Sequence, residues 1–120
     1  MSADRGESAA APLNVDDFLH RVRGDTALAS ALAKLYLGEY PSQLDAVRRA
    51  VASREAAELD RAAHALKGSV ANFSAEPATL AAARLEVMGR TGDLTGSAEV
   101  LRTLETELDR LSQALLEMIS

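Results

Sequence analysis

Apolar residues recur along most of the chain at alternating steps of three and four residues, the spacing of amphipathic helices. The clearest stripe lies near the C-terminus and consists of Leu101, Leu104, Leu108, Leu111, Leu115 and Met118. A second strict stripe consists of Leu59, Ala63, Leu66, Val70 and Phe73. Each stripe marks a helix face that has to be buried. The pattern therefore predicts an all-α protein.

Breaks between the stripes divide the chain into five predicted helices. They are helix A from 14 to about 24, helix B from a cap at Asp25 to about 52, helix C over about 54–73 with Ser53 as its cap, helix D from Pro77 to its end at Gly89 and Gly92, and helix E after Gly96. Four long helices with short connections most simply form an antiparallel four-helix bundle, and we expect the short helix A to pack across one end.

Helix B is the least regular of the five. Its seam positions are Leu37, Tyr40, Leu44, Val47 and Val51. A second apolar set, Leu28, Leu32 and Leu35, lies almost opposite in the first half, so we expect helix A to cover it. Pro41 removes one backbone donor inside the pattern, which predicts a kink there in preference to a restarted helix.

The N-terminal residues 1–12, MSADRGESAAAP, have little apolar surface to bury and no helical period. We expect this segment to be a disordered leader or an artificial end of the sequence. Residues 13–120 are long enough for one domain with a single core.

Composition narrows the possible partners. The 120 residues carry a formal charge of −5 and no long basic run, which argues against nucleic acid and against direct contact with a membrane. There is no cysteine, no phosphate-binding loop of the GxxxxGK[ST] type and no stretch of roughly 20 apolar residues. We therefore expect a cytoplasmic protein that binds no ATP and no metal of its own.

One group of polar residues stands out on helix C. His64 lies about 140° from the core stripe, so its side chain should be exposed. Arg61, Lys67 and Gly68 lie at i−3, i+3 and i+4 from it, on the same surface. A neutral imidazole, with an ordinary pKa of about 6.5, is a competent nucleophile near neutral pH. Cations beside it could stabilise a phosphoryl group, and a glycine would leave the imidazole accessible.

Residues 63–69, which read AHALKGS, closely resemble the phosphorylation motif of histidine-containing phosphotransfer domains of bacterial phosphorelays. The resemblance extends over 61–73, the Leu85-Glu86 step, the Gly92-Asp93 turn and the helix order from helix B onward. Ser74 departs from the family, which commonly has glycine there, and this puts the conformation of the following turn in question.

The resemblance implies a phosphorelay intermediate rather than a complete enzyme. His64 would accept a phosphoryl group from the aspartate of a receiver domain and pass it to another, with Lys67 beside the phosphate. Arg61, Gly68 and Ala71 would contact the partner, Gly68 by leaving room for a docked receiver. The partners implied are response-regulator receiver domains and a hybrid sensor histidine kinase, of which such a domain can be the C-terminal part. Mg²⁺ is expected on the receiver, and no cofactor on this chain.

Two other interpretations have to be considered from the residues alone, and the second is the weaker. Helix C could belong to a helical protein-protein interaction module in which His64 is never phosphorylated. A di-metal bundle would require inward Glu-x-x-His sets on facing helices, which the residues around Glu58 and Asp60 do not supply.

Overall fold

The computed structural model describes residues 10–119, and among these it contains helices and no strand. The helices are α1 (Val15–Arg21), α2 (Thr26–Ser53), α3 (Ala56–Ala71), α4 (Glu76–Thr91) and α5 (Ser97–Ile119). The all-α prediction is confirmed. Residues 1–9 of the expected leader lie outside the described part, whereas the carbonyl of Ala10 accepts a hydrogen bond from Arg110 of α5 at 2.9 Å.

The four long helices form a bundle in which α2 packs on α3, α3 on α4, α4 on α5 and α5 on α2. The short α1 lies at one end of the bundle, beside the turn between α3 and α4. The amide of Asn14 donates to the carbonyl of Ser74 at 3.0 Å, and Arg21 donates to the carbonyl of Ala71 at 3.1 Å. The hydroxyl of Ser74 also donates to the Asp17 carboxylate. The predicted position of helix A is confirmed.

The core consists mainly of the predicted stripes. Every member of the α3 stripe is at most 3% exposed, and the four central leucines of the α5 stripe are buried. All four aromatic rings lie where α1, α2 and α3 converge. The ring centroid of Phe73 lies 5.1 Å from that of Phe18 and 5.2 Å from that of Tyr36. The ring of Tyr36 in turn stacks on that of Tyr40. The buried stripe fixes the rotation of α3, so the opposite side of the helix faces solvent.

The expectation that helix A covers Leu28, Leu32 and Leu35 is wrong. Leu28 and Leu35 are 44% and 58% exposed, and Leu32 is half-buried. The residues that α2 buries there are Ala29, Ala33 and Tyr36. The helix α1 has only seven residues, about 10 Å of length, and is too short to cover a second face of α2.

The boundary between α2 and α3 also differs from the prediction. Ser53 ends α2 instead of capping α3, and its hydroxyl donates to the Arg49 carbonyl at 2.7 Å. Arg54 adopts a left-handed conformation, with φ of 56°, which terminates α2. The N-cap of α3 is Glu55, whose side chain makes no capping hydrogen bond.

The other predicted helix starts, kinks and ends have mixed outcomes. Asp25 caps α2 as predicted by accepting from the amide of Leu28 at 2.9 Å, and Pro77 lies in the first turn of α4. Pro41 lies inside one continuous helix, so a restart is excluded, whereas the kink stays a prediction. Gly92 ends α4 with φ of 81°, but Gly89 lies buried inside that helix. The assignment of Gly89 to the helix end is therefore wrong.

Within the described residues, no helix combines the length and apolar character that crossing a lipid bilayer requires.

Candidate functional site

His64 lies on the exposed side of α3, as the helical angle predicts. Its neighbours in the core stripe, Ala63 and Leu66, are fully buried and hold the helix in this rotation. The His64 side chain is 69% exposed. Its Nδ1 nevertheless has a protein partner, the Oε2 atom of Glu86 on α4, at 2.7 Å. One ring nitrogen is thus held by the bundle while the other faces outward.

Glu86 is a buried carboxylate that joins the two helices. Its side chain is only 6% exposed, and it meets three donors: His64, Lys67 at 2.6 Å and Arg90 at 3.1 Å. The hydrogen bond from Lys67 is the main cause that lowers the pKa of Glu86 below its usual value, and the contact with His64 acts in the same direction against the effect of burial. Glu86 is therefore ionised at neutral pH.

The ionised Glu86 determines which tautomer of His64 is stable. A carboxylate only accepts hydrogen bonds, so Nδ1 of the neutral imidazole carries the proton and donates it to Glu86. The lone pair then lies on Nε2, the nitrogen that faces away from the contact. A neutral imidazole with this proton distribution is a nucleophile whose reactive atom is directed toward solvent.

The structure places the other predicted site residues in different surroundings. Lys67 is one-third exposed and is already paired with Glu86. A Cβ atom added to Gly68 would meet nothing within 4 Å, so its surface is open. Arg61 pairs with Glu58 on its own helix at 2.6 Å and not with His64. Ala71 is half-buried next to α1. Lys67 and Gly68 therefore lie beside His64. Arg61 and Ala71 lie on the same helix but contact other residues, Glu58 and Arg21 respectively.

Sequence reasoning missed the roles of Glu86 and Arg90. Arg90 contacts Glu86 and lies 4.0 Å from Asp60 of α3, so it reinforces the link between α3 and α4. The sequence did contain a signal for Glu86, because it lies between Ala82 and Gly89 on a face of small residues at helical spacing. A carboxylate on such a face will be buried, and a buried carboxylate requires partners.

The surroundings of His64 are those of an open surface. Three surface cavities, of about 450, 630 and 780 Å³, are lined by other residues. In the described part of the chain no group of three or more histidine, aspartate or glutamate side chains is arranged to hold a metal ion. A nucleophile on a helix face whose side chain is mostly open to solvent suits a macromolecular reaction partner better than a small substrate.

Comparison with known proteins agrees with this geometry. The family model of the Hpt domain matches residues 31–114. The fold is similar to the crystal structure of histidine-containing phosphotransfer protein B (HptB) from Pseudomonas aeruginosa PAO1, with a TM-score of 0.79 and 21% identity over 92% of this chain and 95% of that one. No curated protein matches by sequence. The family match includes α3 and Glu86, and the chain therefore belongs to the Hpt domain family of histidine-containing phosphotransfer domains.

Proposed function

We propose that this protein is a phosphorelay intermediate in which Nε2 of His64 accepts a phosphoryl group from a receiver-domain aspartate and passes it to a second receiver. Membership of the Hpt family supports the general function, because its members carry phosphoryl groups between other proteins. The observation that carries the assignment to His64 is its 2.7 Å contact with Glu86, which leaves Nε2 free on an exposed helix face.

The transfer is a displacement at phosphorus. The Nε2 lone pair of His64 forms the N–P bond while the O–P bond to the receiver's aspartate breaks, and the electron pair of that bond stays on the aspartate carboxylate. The proton on Nδ1 does not leave during this step. It remains shared with Glu86, whose negative charge stabilises the positive charge that develops on the ring. The reverse displacement delivers the phosphoryl group to the next receiver.

Lys67 and Gly68 have supporting roles in this proposal. The Lys67 ammonium lies one helical turn from His64 and, although paired with Glu86, can turn toward a phosphoryl group on a flexible side chain. The open surface over Gly68 leaves space for the backbone of a docked receiver. Arg61 and Ala71, on the same helix, would contact the edge of that receiver.

The partners would supply the remaining chemistry. Phosphoryl transfer usually needs a divalent cation to neutralise developing charge, and we place Mg²⁺ on the receiver beside its aspartate. A separate kinase, such as a hybrid sensor kinase of which this domain can form a part, would introduce the phosphoryl group from ATP. A location in the cytoplasm belongs to the proposal, since receivers have to reach His64 there.

The proposal is tested by incubating the protein with a receiver domain that has been radiolabelled on its aspartate in the presence of Mg²⁺. The wild type should acquire label that is stable to alkali and labile to acid, as expected for phosphohistidine. His64→Gln should acquire none and keep its melting temperature, because an exposed side chain contributes little to stability. His20→Gln is the matched control: His20 is the other histidine, is exposed on α1, and its loss should leave the labelling intact.

The same experiment distinguishes the alternative of a non-phosphorylated interaction module. A receiver that binds the wild type without transferring label would support that alternative. Label that persists in His64→Gln would show that another residue carries the phosphoryl group.

A further inference from the structure

The helices α3 and α4 approach each other very closely at Gly89. A Cβ atom at this position would lie 2.4 Å from the amide nitrogen of Asp60, 2.7 Å from the carbonyl oxygen of Ala56 and 2.8 Å from the Cα atom of Asp60. All three are backbone atoms, so rotation of a side chain cannot relieve the overlap. Glycine is unfavourable in the interior of a helix, and the close approach explains why it occurs here.

This contact is adjacent to the site. The helices α3 and α4 run antiparallel, so Gly89 lies about one turn beyond Glu86 on α4, while Asp60 lies about one turn before His64 on α3. Arg90 connects the Gly89 contact with the site, since it contacts Glu86 at 3.1 Å and lies 4.0 Å from Asp60. The separation of the helices at Gly89 therefore affects the distance between Glu86 and His64.

The distances show how sensitive the His64–Glu86 contact would be to a side chain at position 89. An ordinary contact begins near 3.4 Å, so even a methyl group at position 89 would require the backbones to separate locally by about 1 Å. The His64–Glu86 contact is 2.7 Å. Hydrogen bonds between nitrogen and oxygen are about 2.7–3.2 Å long, and a shift of this size, carried to the level of Glu86, would lengthen the contact past that range.

We propose that Gly89 is a positioning residue for phosphotransfer: by having no side chain it lets α4 approach α3 closely enough for Glu86 to hold Nδ1 of His64. Gly89 acts only through Glu86 and touches neither His64 nor the phosphoryl group. The inference rests on the proposed role of His64 as the nucleophile. Its structural part, control of the His64 tautomer, is measurable without any receiver.

The first test is the tautomer of His64 in Gly89→Ala, read from the ¹⁵N chemical shifts of the two ring nitrogens in the unphosphorylated protein. The wild type should show the form protonated on Nδ1. The variant should shift toward the mixture of a solvated imidazole that has no partner on Nδ1. If the folded variant keeps the wild-type tautomer, the proposal is wrong, whatever the outcome of the labelling experiment.

Leu104→Ala is the control variant that shows what a loss of stability does by itself. Leu104 is fully buried on α5, which contributes no residue to the site, so its truncation should destabilise the bundle without changing the tautomer. An equal tautomer shift in this control would show that general loosening of the bundle explains the shift in Gly89→Ala, and would refute the proposal. So would failure of Gly89→Ala to fold even in a stabilising osmolyte such as trimethylamine N-oxide, because Gly89 would then be a requirement of the fold itself.

The second test uses the kinetics of transfer from a phosphorylated receiver. Gly89 lies in the α3–α4 contact, away from the open surface over Gly68, so receiver binding should not change. The maximal transfer rate of Gly89→Ala should fall at least several-fold, while the receiver concentration that gives half the maximal rate stays constant. A change confined to the half-maximal concentration would assign the effect to docking and overturn the positioning role.

Discussion

Gly68 and Gly89 belong to the same pair of helices but lie in opposite surroundings. Around a Cβ atom at Gly68 there would be nothing within 4 Å, whereas at Gly89 three backbone atoms of α3 would lie within 2.8 Å. Each glycine lowers helix stability by about 1 kcal/mol relative to alanine. At Gly89 the fold itself uses the space that the missing side chain leaves. At Gly68 nothing in the described chain uses that space, which points to a molecule outside the chain.

The comparison separates two requirements of the site. The close contact at Gly89 belongs to the buried side, where Glu86 orients the imidazole of His64. The open surface at Gly68 belongs to the exposed side, where a receiver has to approach. Substitutions on the buried side should change stability and histidine chemistry, whereas substitutions on the exposed side should change docking and leave stability nearly intact.

The largest effect is expected from Gly89→Gln. A glutamine side chain would overlap the backbone at Asp60 and Ala56 and would bury a polar group, so the free energy of unfolding should fall by about 3 kcal/mol or more. Urea denaturation monitored by circular dichroism measures this loss. A variant as stable as the wild type would contradict the close contact.

The same substitution at Gly68 should have the opposite effect on stability. Gly68→Gln improves helix propensity at an open position and should raise the free energy of unfolding by about 0.5–1 kcal/mol. The new side chain would stand between His64 and a docked receiver, so transfer should become slower by a steric route. Melts and transfer rates on the same sample test both parts. Lower stability with normal transfer per folded molecule would assign Gly68 to internal packing and remove the contrast with Gly89.

The next effect, on the transfer rate, is expected from Lys67→Ala, because Lys67 lies between the buried and the exposed side of the site. Lys67 donates to Glu86 at 2.6 Å but is still one-third exposed, so it can assist a phosphoryl group without performing the chemistry. Transfer should slow by about tenfold, the size of one charge-assisted hydrogen bond of ~1.4 kcal/mol, and should not stop. Single-turnover transfer from a labelled receiver measures it, with Lys67→Arg as the variant that retains the charge. An unchanged rate in Lys67→Ala would leave Lys67 as a partner of Glu86 alone.

The smallest effect concerns pH. In the folded protein the pKa of Glu86 lies below its usual value, chiefly because of the hydrogen bond from Lys67. The ionised carboxylate therefore stabilises the fold at pH values above about 4.3, the ordinary pKa of glutamate. This contribution is lost as the pH falls through the lower pKa of the folded state. The stability of the wild type should therefore fall more steeply below about pH 4.3 than that of Glu86→Gln. Parallel curves from urea titrations at several pH values would show that Glu86 contributes no such stabilisation.

The sequence predicts those parts of the fold that depend on large apolar side chains. The stripes of α3 and α5 are regular because each step of three or four places another large residue on the buried face. The first half of α2 is harder to predict because its buried residues include Ala29 and Ala33, which are small and common on every helix face. The leucines beside them, Leu28 and Leu35, gave a stronger signal and remain exposed.

The part of the site on α3 is easier to predict from the sequence than the part on α4. His64, Lys67 and Gly68 are near one another in sequence, and the helical angle relates them without any knowledge of packing. Glu86 lies 22 residues from His64, and only the packing of α4 on α3 brings them together. The sequence around Gly89 predicts a helix end because glycine commonly ends helices, and nothing local distinguishes a terminating glycine from one at a helix contact.

The exposure of His64 also determines how long a signal can be kept. Its side chain is 69% open to solvent in the part of the chain that the structure describes. A phosphoryl group on Nε2 would therefore be as accessible to water as to a receiver, and hydrolysis would compete with delivery throughout its lifetime. A docked receiver would exclude that water. The storage time of the signal is then set by how quickly the next partner arrives, and hence by its concentration in the cell.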